Sequence, residues 1–555
     1  MTNWKKITRV DEADAAAEMV RLGTENETEE LLGDEIFLDV RSSHPLGQHS
    51  GSEETGNEEP EQSVQRQSII PSRMEDVICR LKDEVGYKKS FDVVVREMTL
   101  GDTRTAFFMM NGLAKDIALT EVLKRLSYLH GENMTSDALH SFMNLYVPAV
   151  QVEPEEDWNK MMTNVLAGST AMFIEGENRA LIIDAKSFPA RGPEEPSLER
   201  VVRGSRDGFV ETLMVNVSLV RRRLRDPRAR YEVVRVGERT QTDVCIAYID
   251  DIADMELVES IRDKIKAVHI DGLPLADKQL EEATVRLGWS PFPLVRYSER
   301  PDVVASHLLE GNVAVFVDTT PSVMILPTTF FDLVQHVEEN RQTPFIGTYL
   351  RWVRFLGILV SMFLLPLWFL YVLQPQLLPP NLSFIGPSKE GKIPLVLQFL
   401  LAEFGVDLMR MAAVHTPSPL ATAMSLVSAI LVGDIAVKSG LFINEVILYM
   451  AVSAIGMFAT PSYELGLANR IVRLVLIVSV AIFKVPGFIV GITAILLLLC
   501  FQRSFNRPYL WPFIPFDAKA LLNIIFRMPV LESKTRPNLL RPQQRDKMPT
   551  GNGRS

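Results

Sequence analysis

One apolar run, "QFLLAEFGVDLMRMAAVHTPSPLATAMSLVSAILVGDIAVKSGLFINEV" (398–446), carries Glu403, Asp407, Arg410, Asp434, Lys438 and Glu445. A charge at bilayer depth costs at least about 2.5–3.5 kcal/mol on insertion scales, so each of these needs a reason to be there. Glu403, Asp407 and Arg410 stand at i, i+4 and i+7 and share one helix face. Asp407 and Arg410 are spaced to pair locally. Asp434 and Lys438 form an i, i+4 pair at a helix end, and Glu445 opens a helix, where an acid suits the dipole. These last three read as interface charges around a tight turn at Gly440. Glu403 and Asp407 do not fit that description: deep acids with one nearby cation belong against a water-filled cavity. With Arg410 they are candidate ion-pathway groups. Thr422, Ser425, Ala429, Gly433 and Ala436 recur at spacings of three and four. Such a stripe of small residues either lets helices approach closely or lines a narrow polar path.

A second cluster, "RRRLRDPRAR" (221–230), supplies Arg221, Arg222, Arg223 and Arg225. It could meet lipid phosphates or nucleic acid. A solvated helix C-terminus, where the dipole favours cations, is the simpler expectation, and no nucleic-acid partner is expected. Other chemistries find no support. The eight histidines are scattered, there is no HExxH, no GxGxxG after a strand and no GKS or GKT. Cys79, Cys245 and Cys500 form no CxxC, which argues against both a disulfide framework and a zinc site. Without a base, an orienting group and a cofactor loop, neither an enzyme nor a cofactor or metal is expected.

The elements that must position these residues fall into two halves. The chain has 555 residues and a net charge of −11. Residues 1–72 hold 16 acids and 6 bases, with few aromatics, and read as an acidic disordered extension. Strand-like and helical patterns then alternate without a regular βαβ rhythm, predicting an α+β domain of two subdomains, 73–194 and 195–345, joined at the Pro-rich "FPARGPEEPS". A transmembrane domain over 350–502 follows, all-α and polytopic. Its apolar stretches are 353–374, 420–438, 442–460, 470–484 and 486–502. Arg341, Arg351 and Arg354 precede the first and put its N-terminus in the cytosol. The tail, 503–555, holds 10 bases and 3 acids and should also stay inside. Five crossings would leave it outside, so 393–412 is expected to cross as well; lying flat in the interface is the alternative. This places Arg410 and the Arg470/Arg473 pair on the cytosolic side.

Three blocks resemble the A-subunit branch of the GerA-type spore germination proteins: "EEPSLERVVRGSRDGFVETLMVNVSLVRRRLRD", "FPLVRYSERPDVVASHLLEGNVAVFVDTTPSVMILPTTF" and "ATPSYELGLANRIVRLVLI". The resemblance runs from about residue 75 to 537. The stretch before the first span, "QHVEENRQTPFIGTYLRWVR", and "GSRDGF" depart from the nutrient-receptor pattern. The resemblance implies a protein of the inner spore membrane with both termini cytosolic. It implies a homo-oligomer, a pentamer, that works as an ion channel beside a multispanning B-type partner and triggers or amplifies ion release. A nutrient-receptor A subunit, a secondary transporter and a scaffold for germination proteins are the alternatives.

Overall fold

The computed structural model describes residues 68–114, 116–128, 138–143, 147, 151–186, 199, 201–285, 290–387, 391–415, 435–529 and 532–547. The expectations for residues 1–67, and those resting on Thr422, Ser425, Ala429, Gly433 and Asp434, lie outside the described residues.

The first lobe comprises α1 (Met74–Val85), β1 (Val93–Leu100), β2 (Thr103–Met110), α2 (Asp116–Leu126), α3 (Ala138–Ser141), β3 (Val152–Glu155), α4 (Trp158–Leu166), β4 (Thr170–Ile174) and β5 (Ala180–Ile183). The second comprises α5 (Leu213–Arg223), β6 (Ala229–Val236), β7 (Thr242–Ile249), α6 (Met255–Lys266), α7 (Ala276–Thr284), β8 (Arg296–Ser298), α8 (Pro301–Glu310), β9 (Val313–Val317) and β10 (Val323–Leu326). Each lobe has one antiparallel five-stranded sheet. The orders, β1-β2-β4-β5-β3 and β6-β7-β9-β10-β8, match position for position, so one plan is used twice.

Strand side chains alternate between faces, and here both faces are covered. In β2, Phe107 packs with Val122, Leu126 and Phe142, whereas Phe108 packs with Val77, Leu81 and Trp158. In β7, Val244, Ile246 and Tyr248 enter one core and Cys245, Ala247 and Ile249 the other. The lobes are stitched by backbone and side chain together. The Phe91 amide donates to the Tyr231 carbonyl (3.0 Å), and the Tyr231 amide donates to Ser90 Oγ (2.8 Å).

Beyond the lobes come α9 (Phe330–Val334), α10 (Val337–Arg341), α11 (Pro344–Leu373), α12 (Leu395–His415), α13 (Ile435–Lys438), α14 (Asn444–Phe458), α15 (Tyr463–Phe501) and α16 (Ala518–Ile525). Among the described residues, α11 and α15 are long and apolar enough to cross a membrane. α12 has the length, 21 residues, but carries three charges. α15 is broken at Lys484 (φ 53°, ψ −128°), just ahead of Pro486. Its two arms fold back on each other. A Cβ at Gly487 would collide with the Ser479 carbonyl, and one at Gly491 would come within 2.7 Å of Leu476. Both ends therefore return to the second lobe, where Glu464 meets Lys278 and Gln502 accepts from Ser290 Oγ.

The remaining helices run between this near end and a far end. Trp368, late in α11, packs on Phe399 of α12 at the far end, where Gln398 Oε1 also accepts from the Ile443 amide. α12 then runs back until Arg410 meets Met457 and Tyr463. The basic tail is folded onto the second lobe. Arg536 donates to the Leu309 carbonyl (2.8 Å), Gln543 to those of Asp250 and Ala253, and Lys547 pairs with Glu310 (3.1 Å).

Candidate functional site

Four helices bring their polar groups to one level of the bundle. α11 and α14 touch backbone to backbone, because a Cβ at Gly456 would overlap the carbonyl oxygen of Gly357. This approach seats Ser453 Oγ on the Ser361 carbonyl at 3.0 Å. α15 presents Arg470 and Arg473 to the same level, and α12 presents Glu403 and Asp407. Arg473 lies ten residues into α15, about 15 Å from its start at 1.5 Å per residue.

Glu403 is the centre of the cluster. Arg473 meets both oxygens of its carboxylate: Nη2 donates to Oε2 at 2.8 Å, and Nε lies 2.6 Å from Oε1 as an ion-pair contact without hydrogen-bond alignment. The remaining nitrogen of Arg473 donates to the Ser361 carbonyl (2.7 Å) and to Ser453 Oγ (2.8 Å). Arg470 donates Nε to Glu403 Oε2 at 3.0 Å and pairs through Nη1 with Asp407. Glu403 is 1% exposed, while the Asp407 side chain is 43% exposed at the bundle surface. Two acids and two guanidinium groups thus compensate one another. Buried charges recover their desolvation cost only with such pairing and hydrogen bonding, and here Glu403 Oε2 accepts from both arginines while Oε1 has the Coulombic contact with Arg473 Nε alone.

Several sequence-based expectations are corrected here. Asp407 does not pair with Arg410: it pairs with Arg470, and Arg410 donates to Met457 Sδ (2.9 Å) and lies over the Tyr463 ring. Glu403 faces ion-pair partners inside one chain, so no water-filled cavity is needed to explain it. The helix that carries Arg470 and Arg473 begins at Tyr463, seven residues before Arg470, rather than at Arg470. Lys438 and Glu445 lie on either side of the turn at Gly440, whose carbonyl accepts from the Lys392 amide (3.1 Å).

The basic cluster does not form one solvated face. Arg221 is 2% exposed and pairs with Asp92 of the first lobe at 2.8 Å, with its guanidinium over the Tyr231 ring. Arg223 turns to Asp207 at 2.5 Å. Arg222 and Arg225 stay exposed.

Sequence reasoning also passed over Lys278. Its ammonium lies 2.6 Å from Glu281 and 2.9 Å from Glu464, tying α7 to the first turn of α15. Tyr297 OH donates to the same Glu281 carboxylate at 2.8 Å. Burial pushes the Glu281 carboxyl above its ordinary range, against the pull of Lys278 and Tyr297. Among the described residues, no group of His, Cys, Asp and Glu could hold a metal.

Comparison with known proteins agrees with the quoted blocks. The family model for the Bacillus/Clostridium GerA spore germination protein matches residues 80–539. The chain is 48% identical to stage V sporulation protein AF of Bacillus subtilis (strain 168) over 469 residues, 84% of this chain and 95% of that protein. It is 29% identical to spore germination protein KA of the same organism, over 86% of this chain and 88% of that protein. The crystal structure of the N-terminal domain of the A subunit of the Bacillus megaterium spore germinant receptor GerK3 matches 47% of this chain and 98% of its own. It does so at 26% identity with a TM-score of 0.35. By the family model and the 48% identity together, the chain belongs to the GerA family of spore germination proteins.

Proposed function

We propose that this chain is an integral membrane protein of the inner spore membrane that assembles with copies of itself, as a pentamer, and with a multispanning B-type partner to release ions during germination. In this reading α11, α12, α14 and the two arms of α15 cross the bilayer, the sequence over 420–438 supplies a sixth crossing, and the lobes and both termini face the cytosol. The basic near end supports that orientation by the positive-inside rule.

One observation carries the proposal. Glu403 is wholly enclosed in the bundle, whereas Asp407, although paired with Arg470, keeps its side chain 43% exposed. Its pairing with Arg470 does not cover it, and a half-exposed carboxylate at such depth marks contact with water or with another polar protein. An oligomer in which the Asp407 faces converge would form a ring of acids, a device that selects cations.

The experiment is ion flux from proteoliposomes holding the full chain with its partner. Flux that falls or changes selectivity in Asp407→Asn supports the reading. Unaltered flux and selectivity in that variant remove Asp407 from the pathway. Flux that appears only when a small-molecule germinant is added assigns the chain as a receptor A subunit instead.

A further inference from the structure

The chain around α16 carries apolar side chains that the protein leaves uncovered. Phe513, Ile514, Phe516, Leu522, Phe526 and Met528 are each between 40% and 69% exposed, and Ile524 is the buried residue of α16. A helix on the surface of a soluble domain turns its apolar stripe to the core. α16 buries Ile524 but leaves Leu522 half exposed, in line with the bare apolar residues that flank it on both sides, and its Lys519 reaches back to Thr535 Oγ1 at 3.3 Å.

α16 is held firmly in this position. Arg351 donates to the carbonyls of Asn523 and Ile524, both at 2.8 Å, which satisfies the end of the helix. Trp352 Nε1 donates to the Ile525 carbonyl at 3.0 Å, and its ring meets Phe526 edge-on at 5.5 Å. The Arg527 amide donates to Thr348 Oγ1 at 3.0 Å. The stretch of α11 that receives α16 is itself bare: Phe345 is 85% exposed and Tyr349 61%.

Length decides what covers this surface. α11 has 30 residues, about 45 Å of helix, whereas a bilayer's hydrocarbon is about 30 Å thick. Its exposed face continues upward through Leu356 and Leu359, so Leu359 falls at hydrocarbon depth while Phe345–Trp352 and α16 fall at the headgroups. The band is rich in aromatics, the side chains that favour that depth. Residues 503–555 carry 10 bases and 3 acids, which complements anionic headgroups.

We propose that α16, the Phe513–Phe516 turn and the first turns of α11 form an interfacial collar, whose apolar side inserts at the headgroup–acyl boundary of an anionic bilayer. The collar rests on the reading that α11 crosses the membrane. It sets the height of the second lobe above the lipid, since Arg351 ties it to α11 and the tail beyond it is pinned to that lobe.

The test uses the full chain in anionic vesicles, with Cys79 and Cys500 replaced by Ser. Phe516→Cys, Leu522→Cys and Leu359→Cys variants each carry a bimane label. Lipids brominated near the headgroup end of the acyl chain, or near its tail, quench the label by depth. The collar is supported if labels at 516 and 522 respond more strongly to shallow bromines and the label at 359 to deep ones. Deep quenching at 359 with none at 516 and 522 overturns the collar and leaves the crossing intact. In that case, crosslinking between Leu522→Cys copies would assign the patch to a contact between subunits. Absence of quenching at 359 overturns the crossing and the collar with it.

Discussion

Arg473 of α15 holds Glu403 of α12 by a hydrogen bond from Nη2 to Oε2 at 2.8 Å and an ion-pair contact of 2.6 Å between Nε and Oε1. Both residues are almost wholly buried, and Arg470 shares the same carboxylate. The consequence is that the two helices are bonded midway along the bundle by a charge pair that neither can leave without stranding the other.

Removing one partner of a buried pair costs about 3–5 kcal/mol, because the other charge stays buried and uncompensated. Glu403→Gln strands Arg473 and leaves Arg470 with Asp407 alone. Thermal unfolding of the full chain in nanodiscs should show a large loss of stability for Glu403→Gln and for Arg473→Gln. The double variant should lose clearly less than the sum, since contacting partners are not additive. Simple additivity would mean that the pair contributes no coupling.

The same level of the bundle depends on Gly456. A methyl group there meets the Gly357 carbonyl, which belongs to backbone and cannot rotate away. Gly456→Ala should therefore force α11 and α14 apart at an overpacking cost of about 1–3 kcal/mol. The separation also pulls Ser453 off the Ser361 carbonyl. Gly405, where a Cβ would find open space on α12, is the control: Gly405→Ala should be neutral or mildly stabilising by helix propensity. Equal melting temperatures for the two alanine variants would contradict the close approach.

Between the lobes, Arg221 compensates Asp92 with both side chains buried. Arg221→Met keeps the bulk and removes the charge. It should cost about 3–5 kcal/mol, by stranding Asp92 and freeing the carbonyls of Asp226 and Ala229. Arg225→Met, three residues past the exposed Arg222, should cost little. Parallel chemical unfolding of the two variants checks the contrast, and equal losses would mean that the run acts as one surface patch after all.

Local pattern made much of the lobes legible, and long-range pairing did not. "TDVCIAYI" and "LVESIRDKIK" show their periods plainly and fold as β7 and α6. β8 is three residues long and β3 contains Pro154, so neither carries a readable strand signal, and without them the repeated strand order is invisible. In the bundle, the start of α15 was hidden because Glu464, Arg470 and Arg473 depress the hydropathy of its first three turns. The partners of Glu403 lie 67 and 70 residues away, whereas Arg410 lies one turn from Asp407. Spacing along a helix favours the local pair, and only the packing of α12 on α15 decides otherwise. The arginines at 221–225 divide similarly: helix period separates inward from outward positions, but nothing local reveals that Asp92 waits on the other lobe.

His336 gives the protein a pH dependence whose direction can be worked out. Its Nδ1 accepts the Glu338 amide at 3.2 Å and caps α10, which requires an unprotonated ring nitrogen. Burial pushes its pKa from the ordinary 6.5 down to about 4, and the Arg354 and Arg296 guanidinium groups push the same way. Between these two values the unfolded chain binds a proton that the folded chain refuses. The contribution to stability is therefore complete above about pH 6.5 and is lost as pH falls toward 4, at no more than about 1.4 kcal/mol per pH unit. Other groups titrate in the same range, so the comparison is with His336→Asn, which keeps a capping acceptor and has no proton to gain. Melting temperatures of the two proteins should run parallel above pH 7. Below pH 6.5 the parent should fall faster, narrowing or reversing any advantage it holds over the variant. Curves that stay parallel from pH 7.5 to pH 5 would show that the His336 ring titrates alike in the folded and unfolded chain, and that its cap does not depend on the neutral form.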